Sequence, residues 1–221
     1  AQARKMDSRN RNRTIHYEGG ASMWQGANRI QAETIDLDRE TRGLVADGNV
    51  ITNLWEEPKG DREKDPKGDQ KKKAAAPVLT VVHAQHLVYT EANRLAVYTG
   101  GVQLTRPGLQ VTGKELRAFL SEAGSDSRLE KAFADGTVEI LQSSKDQTRK
   151  GTGEHAEYYT DEEKIILQAP RAKMVQTPKN SGKPSTSEGT ELTYFVNDDR
   201  LLITGAPHEP ANSRINRSKK K

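Results

Sequence analysis

Apolar residues recur at alternate positions in short runs: Leu95, Val97 and Thr99; Val102 and Leu104; Leu109 and Val111; Ile165 and Leu167; Leu201 and Ile203. Period two sends successive side chains to opposite faces of an extended chain, so these runs predict half-buried strands. Helical periodicity has one weak candidate, residues 113–122. Even there Val111, Leu116, Ala118 and Leu120 fit a strand.

The strands belong to a repeat. Ala3, Ala32, Ala84 and Gly189 each open a unit with an apolar residue at +3 (Met6, Ile35, Leu87, Leu192) and a glycine at +16 (Gly19, Gly48, Gly100, Gly205). Three of these units carry an arginine at +10 (Arg13, Arg42, Arg94), and Arg200 lies one place later in the fourth. Polar turns such as Asp38-Arg-Glu-Thr and Glu91-Ala-Asn sit in between. Two more units fit with insertions. The unit opened by Gly113 reaches its glycine, Gly136, seven places late, which predicts an enlarged turn at Ser121–Ser127. The unit opened by Gly153 has Ala169-Pro170 in place of glycine, which predicts a bulge or bend. In Thr99-Gly-Gly-Val102 and Asp47-Gly-Asn-Val50 the glycine supplies the positive φ that a tight reversal or kink needs.

A two-strand unit with one apolar face cannot bury that face alone, so about six such units must stack. The fold predicted is all-β, a twisted two-sheet stack with an apolar seam along its axis. The seam comprises Ile15, Ile35, Leu37, Val50, Leu87, Val97, Val102, Leu104, Val111, Val138, Ile140, Leu167, Leu192 and Ile203. Periodicity does not distinguish a filled core from an open groove along it. Residues 1–205 form one repeat domain; 56–77 and 176–188 are polar, Pro/Gly-punctuated and read as flexible loop insertions, and 206–221 as a basic tail.

The net charge of +4 and the pI near 9.2 invite a nucleic-acid reading, until the charges are placed. Glu56–Lys73 contributes +1 and Asn212–Lys221 contributes +5, so the rest of the chain sums to −2. The basic character therefore belongs to a loop and a tail, and nucleic acid is not expected as a partner. Cysteine is absent, which excludes disulfides and thiolate chemistry. The start of the chain shows neither an initiator Met nor a signal-peptide core, so it reads as mature, trimmed or a fragment. His83 and His86, at i and i+3 on a strand, should face opposite ways, and no metal site is expected. Tyr89, Tyr158 and Tyr194 share the +5 place and read as a structural ladder. No nucleophile–base pair, phosphate-cradling loop or spaced carboxylate pair stands out, so neither an enzyme nor a cofactor is expected.

The segment Ala84-Gln-His-Leu-Val-Tyr89, continued by Arg94-Leu-Ala96 and Gly100-Gly-Val-Gln-Leu104, resembles the repeat of the OstA-like or LptA family of lipopolysaccharide-transport proteins. Arg29–Asp38 followed by Gly43–Val50 resembles it too. The resemblance implies a twisted two-sheet β-jellyroll in the periplasm that shields the acyl chains of lipopolysaccharide. It further implies LptC-like and LptD-like partners of the same fold and head-to-tail self-assembly. The two insertions and the basic tail depart from the plain pattern, so a piece of an LptC–LptA-type fusion is also compatible. The residues alone leave a second reading, a β-repeat module that mediates protein contacts without lipid. A third, polysaccharide binding, is poorly supplied with aromatics, which make up 5% of the chain.

Overall fold

A computed structural model describes residues 1–56, 77–123, 126–180 and 182–216. The strands are β1 (Lys5–Arg9), β2 (Thr14–Gln25), β3 (Asn28–Asp38), β4 (Gly43–Glu56), β5 (Val78–Thr90), β6 (Leu95–Arg106), β7 (Leu109–Ala123), β8 (Asp126–Ser143), β9 (Gln147–Tyr159), β10 (Lys164–Pro178), β11 (Ser185–Phe195), β12 (Arg200–Thr204) and β13 (Asn212–Arg214). Each pairs antiparallel with the next up to β12, while β13 pairs with β11. All thirteen therefore share one hydrogen-bonded sheet rather than two separate ones.

This sheet forms two walls because its long strands bend. In β2 through β11 the register shifts near the middle, as at Asp47/Val50, His83/His86, Thr99/Val102 and Asp135/Val138. One half of each strand lies in wall one, which holds the turns at residues 10–13, 39–42, 91–94, 160–163 and 196–199. The other half lies in wall two. Residues from opposite sides of the bend meet: Leu104, Val111 and Ile140 of wall two line a common cavity with Leu116, Ala134 and Ile165 of wall one. The repeat is thus a hairpin of wall one, opened at one corner and closed at the next.

Gly100 shows why the corner needs glycine. It has φ of +87°, and a Cβ at that position would lie 2.6 Å from the Gln85 Cβ on the neighbouring strand. Gly19, Gly48 and Gly136 occupy the same place with φ of 84°, 77° and 78°. Each expected reversal is therefore a corner that the strand passes through without turning back. Gly205 departs from this pattern, since it follows the end of β12.

The core cluster runs from Ala21 to Tyr194 and includes Ile35, Leu87, Leu167 and Leu192, all almost fully buried. Burying such a side chain stabilises the fold by roughly 1.5–3 kcal/mol. Three sequence expectations change here. Strand β10 runs through Pro178 and β11 starts at Ser185, so the loop placed at 176–188 narrows to residues 179–184. The enlarged turn at Ser121–Ser127 becomes an extension of the β7–β8 hairpin, with a bulge at Phe119/Leu120. Part of the tail forms β13. Residues 57–76 of the first insertion and 217–221 of the tail lie outside the described residues. The bend expected at Ala169-Pro170 is present as a register shift between Gln168 and Lys173.

Gly100→Ala and Gly101→Ala separate the two demands of the corner, since Gly101 also has positive φ (84°) but no atom within 4 Å of the place its methyl would take. Urea unfolding should show about 1 kcal/mol lost at Gly101 and roughly 2–3 kcal/mol at Gly100, where steric contact adds to backbone strain.

Candidate functional site

The interior between the walls is not uniform. Midway along the stack it narrows to a cavity of about 40 Å³, room for a few water molecules at most. In the N-terminal half the walls part into a cleft of about 630 Å³, within the range of ligand pockets. Its floor is apolar: Met23, Ile30 and Leu54 from wall two face Leu37, Leu44, Leu87 and Leu120 from wall one. Arg29, Arg39, Arg42 and Arg94 stand at its margin with Asp38 and Glu91.

The fourteen seam residues fall into four groups. Leu37 and Leu87 line the cleft. Leu104, Val111 and Ile140 line the narrow cavity. Ile35, Val50, Val102, Val138, Leu167 and Leu192 are buried in the core, Ile203 packs against it, and Ile15 is half-buried beside its cross-strand partner Leu37. Val97 lies on the outer face, because its neighbours Ala96 and Tyr98 point inward. It pairs laterally with Val88, which pairs with Val45, so the outer face carries its own ladder of β-branched residues. An apolar residue in a strand therefore need not face the core.

The corners also reassign the histidines. Alternation restarts after the bulge between His83 and His86, so both lie on the outer side, contrary to expectation. His86 pairs with Asp47, His16 with Asp36 at 2.7 Å, and His155 with Asp135 at 2.6 Å. Among the described residues no three potential ligands gather as a metal site. Asp135 also accepts from Arg117 Nη2 at 2.5 Å. Burial disfavours its charge, but the hydrogen bonds and charges of His155 and Arg117 outweigh this and hold the carboxyl below its usual range.

The tyrosines at +5 do share the inner side. Tyr158 and Tyr194 flank Ile165 across adjacent strands, and Tyr89 packs against the core. Tyr98, not singled out in the sequence, is buried within it. Burial pushes its hydroxyl up to about 12, an effect partly offset by Thr52 of the opposite wall.

Arg149 was not legible as a site residue. It sits in Gln147-Thr-Arg-Lys150, a stretch that reads as solvated, yet its side chain is only 7% exposed. From wall two it reaches across to Asp199, at a turn of wall one, and its guanidinium lies 4.6 Å from the centre of the Tyr194 ring. The Tyr194 hydroxyl donates to the same Asp199 carboxylate at 3.1 Å. This polar bridge ties the walls together at the C-terminal end, far along the stack from the cleft.

A family model described as LptA/(LptD N-terminal domain) LPS transport protein matches residues 81–200. Among solved structures, the fold is similar to that of LptH from Pseudomonas aeruginosa, described as the LptA-homologous periplasmic component of the conserved lipopolysaccharide transport device. The TM-score is 0.52 at 19% identity, covering 62% of this chain and 94% of that one. At that identity the likeness speaks for the fold. No curated protein sequence matches the chain.

Two variants test the electrostatics of the walls. Asp199→Ala should lower stability by about 1–2 kcal/mol in denaturant unfolding, less than the loss of a fully buried pair, because Asp199 is itself 61% exposed. Asp135→Asn should be less stable than the parent at neutral pH. Because the folded pKa is lowered, this deficit should persist above the unfolded value, about 3.9, and vanish as pH falls through the folded one.

Proposed function

Because the chain belongs to the LptA/(LptD N-terminal domain) family of lipopolysaccharide-transport proteins, we propose that it serves that transport by holding acyl chains in the cleft between its walls. The observation that carries this reading is the apolar floor of the 630 Å³ cleft. An acyl chain in water costs about 0.8 kcal/mol for each exposed CH₂, so shielding one requires a continuous lining. The cleft offers leucines from both walls. The narrow cavity further along has no space for a chain unless the walls separate there.

The protein acts without covalent chemistry, as a carrier that passes its lipid towards the outer membrane and draws its direction from an energy source elsewhere. The sheet has open edges, β1 on one side and β12 with β13 on the other, each with backbone groups able to extend the ladder. These edges suit LptC-like and LptD-like partners of the same fold, or a second copy placed head to tail. A periplasmic location accords with the description of LptH.

Photo-crosslinking residues at Leu37, Leu54 and Leu120, in the cleft, should capture lipopolysaccharide; one at Val97, on the outer face, should not. Equal labelling at all four positions would remove the case for the cleft.

A further inference from the structure

The floor of the cleft is apolar, but four arginines stand at its margin. Arg29 comes from wall two, and Arg39, Arg42 and Arg94 come from two successive turns of wall one. The two acids beside them are engaged locally. Asp38 accepts the backbone N–H groups of Glu40 and Thr41 at 2.8 and 3.2 Å, and Glu91 accepts the Tyr89 hydroxyl at 2.6 Å. Glu40, in the same turn as Arg39 and Arg42, is paired with Arg13. Among the described residues neither Arg39 nor Arg42 enters an ion pair, and both are exposed. Arg29 donates through Nε to Ser22 Oγ at 2.8 Å, which holds one edge of its guanidinium in place.

We propose that this margin binds the phosphate-class head group of an anionic amphiphile whose chains lie on the cleft floor, an assignment that rests on the acyl-chain reading above. Guanidinium groups are weakly hydrated and present forked donors that match phosphate oxygens in pairs. Cations above an apolar trough form the complement of a molecule with anionic oxygens above hydrocarbon. Trp24, 51% exposed and also lining the cleft, supplies the amphipathic ring suited to the boundary between the two. The excess of cations is local. Later turns of wall one carry Asp161, Glu162 and Glu163 beside Lys164, and Asp198 and Asp199 beside Arg200. An anionic head group is therefore drawn to the N-terminal half and disfavoured at the C-terminal end, where Arg149 is already matched by Asp199. The arginines at +10 thus have a use that the repeat alone does not explain: two of them, Arg42 and Arg94, flank the mouth of the cleft.

The test uses the full chain and the double variant Arg39→Gln/Arg42→Asn. Asparagine suits position 42, whose φ is +54°. Both sites lie in an exposed turn, and an unchanged melting temperature verifies the fold. The probes are lipopolysaccharide with its phosphates intact, the same lipid after enzymatic dephosphorylation, and inorganic phosphate. The parent should bind the intact lipid more tightly than the dephosphorylated one, with an affinity that falls as salt is raised. The variant should lose about tenfold for the intact lipid and nothing for the other, since tenfold corresponds to one charge-assisted contact. Equal loss for both lipids, or no loss for either, overturns the head-group assignment while leaving the acyl-chain reading in place. Inorganic phosphate binding as tightly as the intact lipid overturns the lipid as the source of the anion. Failure of the parent to bind either lipid overturns the acyl-chain reading itself and this assignment with it.

Discussion

Every long strand must cross from one wall to the other without losing its hydrogen-bonded ladder, and this requirement governs the molecule. A strand that stopped at the edge of each wall would leave two rows of unpaired backbone groups beside an apolar interior. The corner solves the problem by placing one unpaired residue and a positive-φ glycine where the sheet bends. Gly100 against Gln85 and Gly136 against Lys114 are two instances. The apolar interior, its cleft and the outer ladders all follow from where these corners fall.

Much of this was legible in the residues. The spacing from Ala84 to Gly100 marks two adjoining corners, and the polar turn between them marks the far edge of wall one. Six units, an all-β fold and a seam of paired leucines and valines could be read from that period. The facing of individual residues was less legible, because alternation restarts at each corner. His83 and His86 differ by three positions and still share the outer side. Val97 faces outward for a different reason: valine favours an extended backbone on either face, while the inward places of β6 hold Ala96 and Tyr98.

The site was harder to read than the fold. Whether a seam is a core or a cleft depends on the separation of the walls, a quantity of tertiary structure that no period encodes. Ile35 and Leu37 lie two positions apart on the same side of β3, yet one is sealed in the core and the other lines the cleft. Arg149 shows the converse. A cation in a polar stretch becomes buried because the wall opposite offers Asp199 and the face of Tyr194. The outer side carries a related arrangement without burial, in which Phe119, Phe133 and Tyr159 pack together under Lys131 and Lys164. These cations cover aromatic surface that would otherwise meet water.

The restart of alternation at each corner also confines errors. A residue inserted in one half-strand flips the facing of that half only, because the bulge can absorb the change before the other half begins. The two walls are therefore free to vary separately. The number of residues between successive strands in wall two ranges from the pair Gly26-Ala27 to the long stretch of sequence between Glu56 and Val78, while wall one keeps a nearly constant hairpin length through most of its units. Chain length varies where it disturbs one wall alone, and the glycine corners act as firebreaks between the regular spacing on one side and the irregular one on the other.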